Sequence, residues 1–224
     1  MENLLQQISI CIEKGKANSA SNYPSELKGQ PGVVELTDEA LASGVKPNVI
    51  LNDGLLAGMK VVGEKFRDGK IFLPEVLIAA KAMNAAMEIL KPYFISGEIK
   101  LKGKVILGTV EGDLHDIGKN IVKMVLEGGG WQVIDLGINV SSQKFIESIN
   151  EHKVKVVGLS ALLSTTMQNM AGIVKNIKSQ FPEVVIVLGG APLTSSFAQS
   201  INADHYFPDP QGLLEYLNSN HNDQ

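Results

Sequence analysis

The run Glu111-Gly112-Asp113-Leu114-His115-Asp116-Ile117-Gly118 sets carboxylates on both sides of an imidazole. An imidazole is a metal ligand or a proton carrier near neutral pH, and a carboxylate beside it fixes its tautomer and strengthens it as a donor. Two other short groups stand out, Ser160-Ala161-Leu162 and Gly189-Gly190, one carrying a hydroxyl and the other no side chain at all. Glycine lets a backbone come close to a bulky ligand, although a pair of glycines also reads as an ordinary turn after a strand. Taken alone, these residues leave three chemistries open. A phospho-acceptor module would gather acidic residues for Mg²⁺, but His115 splits Asp113 from Asp116 and no other carboxylate clearly ends a strand. A dinucleotide site would need G-x-G-x-x-G here, and it is absent. The third is a metal ligand at His115 whose other ring nitrogen is held by a neighbouring carboxylate, against the plainer reading of a solvated loop imidazole.

The position of the run matters. Lys104–Val110, Trp131–Gly137, Lys155–Leu162 and Val184–Gly190 are short apolar, β-branched runs, and His205–Phe207 is a shorter fifth. Helical patterns lie between them at Gly118–Glu127, Ser142–His152 and Thr166–Phe181, with a last one at Gln211–Leu217. Strands alternating with helices predict an α/β domain with a five-stranded parallel sheet, flavodoxin-like in its 2-1-3-4-5 order. In such sheets ligands bind beyond the carboxyl ends of the strands, beside the first strand, where His115 falls. Gly118 would let the following helix pack closely on the sheet.

Before residue 100 the apolar period is helical instead. Leu4, Leu5, Ile8, Cys11 and Ile12 share one face, and Val33–Ser43 forms a second helix ended by Gly44. Pro47 opens a third, with Leu51, Leu55, Met59, Val62 and Phe66 along it. Pro74 opens a fourth, with Leu77, Ala80, Met83, Met87 and Leu90 on one side. Gly54 and Gly58 inside the third helix point to close helix packing, and Lys16–Gly32 reads as a long surface loop. The expected organisation is a four-helix bundle over residues 1–91, a linker over 92–103 with a helix-ending Pro92 and a permissive Ser96-Gly97, and an α/β domain over 104–224.

Composition removes several function classes. With 44% apolar residues in 224, the chain can bury a real core. Its 20 Lys and Arg against 24 Asp and Glu, with no basic run, argue against nucleic acid and against an anionic membrane surface. Cys11 is the single cysteine, so no internal disulfide is possible. Neither a signal peptide nor a long uncharged apolar stretch is evident, so a soluble, cytoplasmic protein is expected.

The three motifs together resemble the corrinoid (vitamin B12) binding proteins of the methionine synthase type. Asp113-x-His115-x-x-Gly118, Ser160-x-Leu162 and Gly189-Gly190 are separated by 41 residues (119–159) and 26 residues (163–188), and both gaps suit that family. Gly58-Met59-Lys60-Val61-Val62-Gly63-Glu64-Lys65-Phe66 and Phe72-Leu73-Pro74-Glu75-Val76 are similar to its helical cap. The resemblance spans residues 33 to about 218 and is greatest to the stand-alone corrinoid proteins serving methanol, methylamine, betaine and aryl methyl ether methyltransferases.

That resemblance implies a cobalamin or related corrinoid cofactor with His115 as the lower axial ligand of cobalt. Asp113 and Thr166 would complete a His–Asp–Thr triad. Gly112, Leu114, Asp116, Ile117, Gly118, Ser160, Leu162, Ser164, Gly189 and Gly190 would line the cofactor and its displaced nucleotide tail. Phe66 and Leu73 would cover the methyl group on the upper face. His152, His205 and His221 are read as structural or solvated. The implied protein is a methyl-carrying subunit rather than a complete enzyme. Its implied partners are a substrate-specific methyltransferase, a second methyltransferase passing the methyl group to tetrahydrofolate or a thiol, and a reductive activase. The competing readings are a B12-dependent sensor, which would usually carry an output domain, and an isomerase subunit, which would lack the cap.

Overall fold

The computed structural model describes residues 2–220, so His221 lies outside the described residues. The chain divides into two compact units. One runs to Leu101 and takes in Gly128–Gly130; the other comprises Lys102–Glu127 and the chain from Trp131 onward.

The first unit is helical. It contains α1 (Glu2–Glu13), α2 (Val33–Ala42), α3 (Pro47–Val49), α4 (Ala57–Arg67) and α5 (Leu73–Ile95). Between α3 and α4, Ile50–Leu56 is wound as a π-helix, so 47–67 is one continuous helical stretch with a wider middle. Ile8, Ile12, Ile50, Leu55, Met83 and Leu90 are completely or almost completely buried and form the centre of its core. Gly54 and Gly58 are where α1 comes closest: a Cβ on Gly58 would lie 2.6 Å from the Ser9 carbonyl oxygen and 2.7 Å from Ile12 Cβ. Glu35 and Glu75 each accept the backbone N–H three residues earlier, from Gly32 and Phe72, which satisfies an amide at the start of α2 and of α5.

Three local expectations need correction. Pro92 does not end its helix. Without an N–H it gives up one bond near the end of α5, and Tyr93 and Phe94 after it pack on the helical core, so the helix continues to Ile95. The segment that follows is therefore shorter than 92–103, and Ile99 within it is buried against the helical core with its N–H on the Tyr93 carbonyl. Leu77 is exposed, because the buried stripe of α5 is Val76, Ala79, Met83, Ala86 and Leu90, one residue out of phase with it. Lys16–Gly32 is not wholly a surface loop either. Lys16 is completely buried with its ammonium on the Ser21 carbonyl at 2.8 Å, and the loop's ends are joined by Val33 and Val34 N–H bonds to the Lys16 and Ala17 carbonyls.

The second unit is the expected parallel sheet, in the order β2-β1-β3-β4-β5. Its strands are β1 (Lys104–Thr109), β2 (Gln132–Asp135), β3 (Val156–Ser160), β4 (Val185–Gly189) and β5 (His205–Tyr206). The helices are α6 (Ile117–Gly128), α7 (Ser142–His152), α8 (Ser164–Met167), α9 (Asn169–Gln180), α10 (Ser195–Ser200) and α11 (Pro210–Ser219). The single helix expected over Thr166–Phe181 is thus two, meeting at Gln168, and α10 was not foreseen. Alternation along the strands divides the core. Ile106, Val157, Leu159, Ile186 and Leu188 face α7 and α9, while Val105, Leu107, Val156 and Val187 face α6 and α11. Trp131, buried just before β2, belongs to the second group and donates its indole N–H to Asn218 on α11.

Candidate functional site

The carboxyl ends of β1, β3 and β4 lie in register: Thr109 pairs with Ser160, and Ser160 with Gly189. The pleat turns all three toward the face covered by α6 and α11. Along that face large apolar residues thus give way at the carboxyl end to a hydroxyl pair and a glycine. Gly189 has no packing reason to be glycine, since a Cβ there would come no nearer than 3.9 Å to any atom, the Phe207 carbonyl oxygen. Gly118 lies on the inner stripe of α6, four residues before Val122 and seven before Val125, both of which pack in the core beneath. It does not pack closely as expected: a Cβ there would meet nothing within 4 Å. Gly118 is exposed and Ser160 and Gly189 are only half-buried, so this end of the face is an uncovered slot. Gly190 differs from its neighbour. Its φ is +140°, and a Cβ would lie 1.9 Å from the Ala161 carbonyl oxygen, so glycine is required there by the protein itself.

Asp113 ties the loops above these strand ends together. Its side chain is fully buried although it sits in a loop. One oxygen accepts the His115 backbone N–H at 3.0 Å and His115 Nδ1 at 2.8 Å. The other accepts the Leu162 N–H at 2.8 Å and the Thr166 hydroxyl at 2.5 Å. Burial pushes this carboxyl up, but the hydrogen bonds from Thr166, Leu162 and His115 outweigh it and hold it well below the usual carboxylate range. Asp113 is therefore ionised at neutral pH and can only accept. His115 Nδ1 must donate to it, which leaves the lone pair on Nε2. The imidazole itself is half exposed, so that lone pair is available at the surface of the loop cluster.

His115, Asp113 and Thr166 are thus brought together. Gly112, with φ +84°, makes the turn before them. Leu114 and Ile117 are each 67% exposed, and Leu162 is 45% exposed, which leaves apolar side chains in water around His115. Asp116 and Ser164 are exposed, and Asp116 accepts the Asn120 side-chain amide rather than turning to His115. Phe66 and Leu73 lie half-buried in the helical unit, with Phe66 packed on its core. His205 bonds the Tyr216 hydroxyl, a structural role as expected.

Three residues that the sequence reading passed over hold this loop. Thr109 donates its hydroxyl to the His115 carbonyl at 3.0 Å. Asn139, in the left-handed region at φ +53°, accepts the Gly112 N–H and donates its own N–H to the Asp113 carbonyl. Asn169 donates to the Glu111 carbonyl at 2.7 Å. The sequence signal was no more than polar side chains at a strand end, in a loop and at a helix start, which many surface segments also show.

A family model described as a B12 binding domain matches residues 103–210, and a second of the same description matches 30–91. The fold is that of a B12-binding domain with its helical companion. The chain is 43% identical over 199 residues to trimethylamine corrinoid protein 1 of Methanosarcina acetivorans, covering 87% of this chain and 89% of that protein. It is 36% identical over 208 residues to the dimethylamine corrinoid protein of Methanosarcina barkeri, covering 92% and 91%. A chain of the methanol:cobalamin methyltransferase complex of Methanosarcina barkeri superimposes with a TM-score of 0.83 at 27% identity, over 99% of this chain and 81% of that one. The chain belongs to the corrinoid proteins of methyltransferase systems. It binds a corrinoid and works as a methyl carrier alongside methyltransferases. Among the described residues no helix is long and apolar enough to cross a membrane.

Proposed function

We propose that this protein carries methyl groups from a methylamine-class methyltransferase to a second methyltransferase that passes them to tetrahydrofolate or a thiol, with a reductive activase restoring it after oxidation. The methylamine class rests on the relatives' names, and the rest on the resemblance in the motifs. The observation that carries the site assignment is the chain Thr166–Asp113–His115 ending in an available Nε2.

When bound, the corrinoid supplies a cobalt centre able to accept and donate a methyl group. His115 Nε2 would be the protein nitrogen that holds it, and one protein donor suffices because the macrocycle brings its own. The open space beside Ser160, Gly189 and Gly118 would suit the cofactor's nucleotide tail. Leu114, Ile117 and Leu162 would lie against the apolar parts of the ring. Asp113 fixes the Nδ1–H tautomer and, being firmly ionised, makes His115 a stronger donor. Thr166 and the Leu162 N–H hold Asp113 in that ionised form.

The test is His115→Ala loaded with cobalamin and reduced to the cobalt(II) state. Loss of the histidine nitrogen splitting from its electron paramagnetic resonance spectrum, with an unchanged circular dichroism spectrum, is expected. A splitting identical to that of the wild type would overturn the ligand assignment.

A further inference from the structure

Gln211 is a buried polar residue that nothing above explains. It is 5% exposed, in the first turn of α11, and its side-chain carbonyl oxygen is shielded from water with no hydrogen-bond partner among the described residues. Its amide reaches only Glu215 one turn on, at 3.3 Å. A buried acceptor left without a donor carries a desolvation penalty, and a bound ligand that supplies the donor would remove it.

Helical spacing shows which way the residue faces. Gln211, Leu214 and Asn218 share one stripe of α11. Leu214 is buried in the core between α6 and α11, and Asn218 accepts the indole N–H of Trp131, which packs in the same core. Gln211 therefore lies at the carboxyl-end mouth of the face between α6 and α11. Across that face are Gly118, whose inner side meets nothing, and the open position of Gly189.

Resting on the corrinoid reading, we infer that Gln211 is a specificity residue for the cofactor's nucleotide tail: its side-chain oxygen accepts a hydrogen bond from a ribose hydroxyl or a base N–H in the slot. It selects complete corrinoids over those lacking the tail. No bond is made or broken. The acceptor exchanges an empty buried site for a donor that would otherwise be hydrated.

The full-length apoprotein, wild type and Gln211→Met, is titrated by absorbance with three corrinoids. These are cobalamin, whose dimethylbenzimidazole has no N–H, a cobamide carrying adenine, and cobinamide, which has no nucleotide. Methionine keeps the volume and removes the acceptor, so the apoprotein should melt at the same temperature or slightly higher. Binding of cobalamin should weaken about tenfold, the worth of one buried hydrogen bond, and binding of cobinamide should not change. A penalty for cobalamin assigns the donor to the ribose, whereas a penalty confined to the adenine form assigns it to the base amine. An equal penalty for cobinamide, or none for either nucleotide-bearing form, would overturn the inference. Gln211→Ala repeats the comparison if methionine fails to pack. Wild-type protein that bound no corrinoid would overturn the cofactor reading itself, which separates that failure from one specific to Gln211.

Discussion

The helical unit and the loop end of the sheet are ordered by different forces. In the first, α1 and the 47–67 stretch meet over Gly54 and Gly58 and are held by buried Ile8, Ile12 and Leu55, so order comes from non-directional apolar burial. At the sheet's carboxyl end, side chains around His115 remain in water, and order comes from one buried carboxylate that collects donors from two loops. The first arrangement tolerates changes that keep volume and pattern. The second depends on single atoms, and each lost donor leaves a charge partly unsatisfied.

Glycine replacements distinguish these two regimes most sharply. The largest effect is expected for Gly190→Ala, which forces a Cβ against the Ala161 carbonyl in a backbone region closed to L-residues. Overpacking and strain together should cost about 4 kcal/mol, read by urea denaturation. Gly189→Ala, one residue earlier, should leave apoprotein stability within about 1 kcal/mol of wild type and weaken corrinoid binding. Equal stability losses at the two positions would mean that Gly189 is a turn residue and not part of the slot.

The same replacement can be set across the two units. Gly58→Ala gains helix propensity but drives a Cβ into the Ser9 carbonyl of α1, for a net loss of about 1–2 kcal/mol. Gly118→Ala, also helical, meets nothing and should be neutral or stabilising by up to about 1 kcal/mol in the apoprotein. A destabilised Gly118→Ala would show that α6 packs closely after all.

The smallest effect is in acid. The Asp113 carboxyl is held below its unfolded value, so its contribution is fully present above about pH 3.9 and is lost as pH falls through and below that point. Asp113→Asn should therefore flatten the acid limb of the stability curve below about pH 4 and leave its slope between about pH 5 and pH 8 unchanged. An unaltered acid limb would remove Asp113 as the organising charge.

The same contrast explains what was legible in the sequence. Apolar periodicity reports burial, so the helices of the first unit and the five strands could be read directly, and the strand order followed from their alternation with helices. Periodicity does not distinguish an α-helix from the π-helical turn at Ile50–Leu56, because Leu51, Leu55 and Met59 recur at the same spacing in both. It also placed Leu77 inside when the adjacent Val76 stripe was the buried one. His115, Asp113 and Thr166 were singled out because their spacing resembles a known pattern, and the structure brings them together. Asn139, Asn169 and Gln211 were not, since each acts through a bond or a burial that depends on strands distant in the chain. Gly118 was singled out for close packing on the sheet, but a Cβ there would meet nothing within 4 Å.

The span of the Asp113 network has a consequence for how the protein is made. Asp113 and its donors Leu162 and Thr166 are 49 and 53 residues apart. They meet only once β3 has docked beside β1 through the long crossover that includes β2, and such non-local parallel pairing is slow to form. A nascent chain can complete its helical unit early, but Asp113 lacks its Leu162 and Thr166 donors until the sheet has closed, so the network that orients His115 is completed only at the end of folding.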